Sequence, residues 1–139
     1  MWPDAGTETF LLSEPFPHAL RAVRAALAAR GLRTVAELDV AARVRRTLRI
    51  RLPPCRILYI WPAMPANETF PAAAVFLPLH LVIASRGRET ELCALSQVQR
   101  EANDADTFVK SAVTRAQSEM LQCLDRISMR AGLVSPGRT

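Results

Sequence analysis

The sequence predicts an α+β domain of two layers, with strands in the middle of the chain, flanking helices and a long C-terminal helix. Three observations predict it. Apolar runs of strand length and period two fill the middle of the chain, segments with helical apolar spacing lie on either side, and 139 residues suffice for one core but not for two. No internal repeat or low-complexity block divides the sequence, so residues 1–139 are expected to form one domain, its long helix running over about 104–130.

Taken in order, TETFLL (Thr7 to Leu12) reads as a strand. Ser13 is placed to cap a helix whose first turn holds Glu14 and Pro15, and Leu20, Val23 and Leu27 give that helix one apolar stripe, with Arg21 and Arg30 away from it. Gly31 ends it, and LRTVAELDV follows as a strand. Val40 to Leu48 forms a short arginine-rich helix, stopped before Pro53 and Pro54. In CRILYIWP, Ile57, Tyr59 and Trp61 project to one face and Leu58 and Ile60 to the other. Both faces are apolar, which predicts an interior strand. PAMPANETFP carries three prolines and reads as a loop or broken helical turn from Pro62 to Pro71.

AVFLPLHLVIAS is the next strand, with Val75, Leu77, Leu79, Leu81 and Ile83 on one side and Phe76, Pro78, His80 and Val82 on the other. Pro78 implies a bulge or an edge. SRGR turns the chain into ETELCALS, closing a hairpin. The last helix carries Val109, Ala112, Val113, Ala116, Met120, Leu124 and Ile127 as one stripe. A stripe of some five turns exceeds what a small sheet needs to cover, which predicts a homodimer using part of it or a sheet edge.

Composition excludes several classes. Half of the residues are hydrophobic and 22% are charged, which fits a globular chain. The apolar run from Val75 to Ala84 is too short to span a membrane, and the amino terminus lacks the basic and apolar regions of a signal peptide. A cytoplasmic protein without a membrane partner is therefore expected. Cys55, Cys93 and Cys123 are odd in number and set in apolar surroundings, as small core residues are. The net charge is +5, and the densest basic stretch, RVRRTLRIR, holds Arg43, Arg45, Arg46, Arg49 and Arg51. No aromatic residue interleaves these arginines to stack on bases, so they predict a solvated face and no nucleic-acid partner.

The helix followed by GLRTVAELDV, the basic helix, LPPCRILYI, a Pro- and Ala-containing loop and FLPLHLVI resemble the domain-of-unknown-function 302 family over about Phe10 to Leu95. The resemblance implies an antiparallel-rich sheet of the β-α-β-β-α type and the TATA-box-binding-protein-like class, commonly in a homodimer, with no settled activity. Members of the family often carry Cys-Asn-Pro after the RIL strand and a cysteine just after the LP. Here Trp61, Pro62 and Ala63 replace the first motif and Leu79 the cysteine of the second, so no thiol role carries over.

Bulky apolar residues at those positions point to a cleft that holds an apolar ligand, or to a better-filled core. The candidate cleft lies beside Tyr59, Trp61, Met64, Phe76 and His80, with Asn67 and Glu68 on the loop above it. His80 is the candidate acid or base, because imidazole titrates near neutral pH, and Glu68 is placed to orient it. Tyr59, Trp61, Met64, Asn67 and Phe76 would bind the ligand, an apolar or aromatic, polyketide-like molecule. His18 is expected at the surface. Metal-ligand spacing, a glycine-rich phosphate loop and a nucleophile elbow are all absent from the sequence, so no cofactor is expected. Two readings follow: a small-molecule pocket protein, either a carrier and chaperone or a cofactor-free cyclase, hydrolase or isomerase, and a non-catalytic homodimeric interaction module whose cleft is only core.

Overall fold

The computed structural model describes residues 7–62, 79–95 and 107–130. The elements run β1 (Thr7–Leu12), α1 (Phe16–Ala29), β2 (Leu32–Asp39), α2 (Val40–Leu48), β3 (Cys55–Pro62), β4 (Leu79–Arg86), β5 (Glu89–Leu95) and α3 (Thr107–Arg130). The strands form one sheet in the order β1-β5-β4-β3-β2, and every neighbouring pair is antiparallel. This is the α+β architecture expected from the sequence.

Period-two alternation decides which side of the sheet is dry. Leu58, Ile60, Leu81, Ile83, Leu92, Phe10 and Leu12 are fully or almost fully buried beneath Val23 and Leu27 of α1 and Val113, Met120 and Leu124 of α3. Both helices therefore lie on one face, and Arg30 at the end of α1 donates to Glu119 of α3 at 2.9 Å. The stripe residues Val113, Ala116, Met120, Leu124 and Ile127 are buried within the chain itself. The protein's own sheet and α1 cover these five positions.

Local chemistry sets the turns. α1 ends where Gly31 takes φ 77°, its N–H donating to the Ala28 carbonyl. Arg86 and Glu89 pair across a two-residue turn that Gly87 opens at φ 73°, a conformation that glycine adopts without strain. The start of α1 departs from the sequence reading. The N-cap is Pro15 and no side chain caps the helix, so Ser13 does not serve; Pro15 fixes the extended backbone two residues later than expected. The preceding turn is held instead by Thr90, whose hydroxyl donates to the Glu14 carbonyl at 2.7 Å. α2 keeps a side-chain cap, since Asp39 Oδ1 accepts from the Ala42 N–H at 3.0 Å.

β2 holds the main irregularity. Thr34 pairs with Ile60 and Ala36 with Tyr59, so Val35 is an extra residue with no partner in the ladder. The bulge reverses the alternation and places Glu37 opposite Leu58, on the helix side of the sheet. There it meets Arg24 of α1, with Nε 2.7 Å from Oε2, and Arg56 of β3, with Nη1 3.0 Å from Oε1. Asp39 Oδ2 lies 3.6 Å from Arg56 Nη2 and extends the cluster.

Candidate functional site

The sheet face opposite the helices carries the expected site residues. Tyr59 of β3 and His80 of β4 are directly paired across the strands, with ring centroids 5.0 Å apart and planes at 88°. This edge-on arrangement is one of the two favoured for aromatic pairs, because the positive edge of one ring meets the negative face of the other. The register continues outward as Ala36, Tyr59, His80 and Leu95 in one row, and Leu38, Ile57, Val82 and Cys93 in the next. Trp61 follows Tyr59 on the same face by the two-residue period of the strand. Tyr59, Trp61, His80, Ile57, Val82, Cys93 and Leu95 are all half-buried.

Burial pushes the His80 imidazole below its ordinary pKa, because its charged form is poorly solvated there. At neutral pH the ring is uncharged, with one nitrogen able to accept a proton. Cys93, on the same face, is pushed up by burial, against a lowering hydrogen bond with Thr9 and alongside the raising charge of Glu91. Cys55 is raised by burial and by the Asp39 carboxylate. Both remain thiols at neutral pH, which makes them poor nucleophiles. None of the three cysteines forms a disulfide.

Of the expected site, the structure pairs Tyr59 with His80, while Trp61 is half-buried and packs in part against the hydrophobic core. Met64, Asn67, Glu68 and Phe76 lie outside the described residues, as does Pro78. His18 is exposed on α1, as expected. Among the described residues, no group of three or more His, Cys, Asp or Glu side chains is arranged to hold a metal, and no helix is long and apolar enough to cross a membrane.

A concavity away from this face was not anticipated. It lies on the helix side, where the start of α1, α2 and the start of β3 meet, and has a volume of about 340 Å³. Of its arginines, Arg45 and Arg51 belong to the basic run marked in the sequence, which did not say which of them face inward, and Arg56 lies outside that run. Their convergence depends on how α2 folds back toward β3.

The sequence matches the family described as "Domain of unknown function DUF302" over residues 8–127. In fold, the chain is similar to the crystal structure of an uncharacterized conserved DUF302 protein from Bacillus stearothermophilus, with a TM-score of 0.69 and 16% identity, covering 88% of this chain and 98% of that one. At that identity the likeness establishes the fold. Nothing matches among curated proteins. With the family matched along most of its length, and the expected sheet and helices in place, the chain belongs to the DUF302 family.

Proposed function

We propose that the protein binds a small apolar or aromatic, polyketide-like molecule on the open face of its sheet, against Tyr59, Trp61 and His80. The observation that carries this reading is the edge-on Tyr59–His80 pair in the middle of a half-buried apolar face. Flat rings pack on Trp61 and Tyr59, while the imidazole and phenol supply the few polar contacts that orient a ligand in such a site. The uncharged His80 suits a general base, so proton transfer in a cofactor-free cyclase, hydrolase or isomerase is the chemistry proposed with it. The location proposed is cytoplasmic, without nucleic-acid or membrane partners.

A second reading rests on the neighbouring row, Leu38, Ile57, Val82 and Cys93. A half-exposed apolar sheet face also suits a homodimer contact, which makes the protein a non-catalytic interaction module. Titration with 2-naphthol, a neutral aromatic probe, tests the pair of readings. Pocket binding requires saturable quenching of tryptophan fluorescence and a rise in Tm, with His80→Ala weakening binding about tenfold at nearly unchanged stability. Absence of binding, with a dimer in sedimentation and a stability loss of about 1–3 kcal/mol in His80→Ala, overturns it in favour of the interaction module.

A further inference from the structure

The geometry points to a second binding site, separate from the Tyr59–His80 face: the cleft between α2 and the start of β3 takes a small organic anion, a carboxylate or phosphate group on an apolar body. The chain builds this cleft by a sharp reversal. α2 ends at Arg49, which adopts φ 59° and ψ 30°, its N–H donating to the Arg45 carbonyl at 2.9 Å. Left-handed backbone is unfavourable for a residue with a side chain, so the turn is held against local preference. It sends Arg51 and Leu52 back along the cleft, and the Pro54 carbonyl is fixed there by the Ser85 N–H at 2.8 Å.

Three arginines from three segments reach the same space: Arg45 from α2, Arg51 from the reversal and Arg56 from β3. They are not equivalent. The charge of Arg56 is matched by Glu37 at 3.0 Å and Asp39 at 3.6 Å. Asp39 is further occupied in capping α2. Arg45 and Arg51 make no ion pair or side-chain hydrogen bond among the described residues. The cleft therefore holds two uncompensated guanidinium groups, each offering the planar donor fork that matches carboxylate and phosphate oxygens.

The remaining walls give the ligand its second property. Phe16, Leu52 and Pro54 are apolar and line the cleft beside the guanidiniums, so a bare inorganic anion would leave them facing water. The volume falls at the lower end of the range of about 300–1,000 Å³ typical of small-molecule sites. A compact amphipathic acid fills such a space, whereas an extended polyanion would need a convex or grooved basic surface with stacking side chains.

The test is NMR titration of the full chain with benzoate, phenyl phosphate, inorganic phosphate and neutral benzamide. Benzoate or phenyl phosphate is expected to shift the amides of Ala42, Cys55 and Arg56 saturably, with a dissociation constant at or below about 1 mM, and benzamide to leave them unmoved. Whichever of the two binds more tightly identifies the head group. Inorganic phosphate is expected to bind more weakly than phenyl phosphate. Arg45→Gln and Arg51→Gln, both at exposed positions, are each expected to weaken binding about tenfold without changing Tm. Absence of saturable shifts with either aromatic anion, equal binding by the neutral amide, or unchanged affinity in both variants overturns the proposal. Shifts centred on Tyr59 and His80 instead would assign the anion to the other face and overturn it as well, while the 2-naphthol result stands independently.

Discussion

Replacing Glu37 with Gln removes the one negative charge that two arginines share across three elements. The carboxylate joins Arg24 of α1 and Arg56 of β3 to β2, and its side chain is 25% exposed against 38% and 32% for its partners. At that exposure each pair contributes about 0.5–1 kcal/mol, well below the value of a dry ion pair. Losing both gives about 1–2 kcal/mol at neutral pH, or a fall in Tm of about 3–8 °C for a domain of this size.

The pH dependence supplies a sharper test than the magnitude. Burial alone would raise the Glu37 pKa, but the hydrogen bonds and charges of Arg24 and Arg56 outweigh it and hold the carboxyl below its usual range. A lowered folded-state pKa means that this stabilisation is fully present above the unfolded-state value and is lost as pH falls through the folded one. Glutamine resembles the protonated acid. Urea unfolding of parent and Glu37→Gln should therefore show a gap at about pH 7 that closes on the way to about pH 3. A gap that stays constant over this range, or none at neutral pH, refutes the reasoning.

Two further outcomes rest on buried polar groups. Thr90→Val keeps the side-chain shape but leaves the Glu14 carbonyl without its donor, and a loss of about 1–2 kcal/mol in urea unfolding is expected; an unchanged midpoint would show that the bond contributes nothing net. Gln117 of α3 is almost fully buried and its Oε1 has no hydrogen-bond partner among the described residues, so Gln117→Met should raise stability by about 1–2 kcal/mol; calorimetry showing a lower Tm would mean that the amide is satisfied.

The alternation of β3 and β4 was legible in the sequence because both strands are regular over their described length: Leu58, Ile60, Leu81 and Ile83 are buried, and Tyr59 and His80 share the opposite face. Glu37 was not. Counting by twos from Leu32 sends it to the open face, and only the bulge at Val35 brings it under α1. Such a phase change leaves little trace in a string of residues whose polar and apolar types already mix. The cleft of Arg45 and Arg51 was hidden for a related reason. It depends on a left-handed arginine where sequence logic expects glycine or asparagine.

The placement of β1 bears on how the chain is made. β1 and β2 occupy opposite edges of the sheet, and α1 carries the chain from one edge to the other across its whole width. β1 finds its partner only in β5, through pairs such as Thr7 with Leu95, and it is covered in part by α3, later still. On the ribosome, β1 is thus left without this partner until the hairpin β4–β5 has been synthesised. During that interval Phe10 and Leu12 lack the sheet that buries them in the fold, and the amphipathic α1, made directly after β1, offers them its apolar stripe instead.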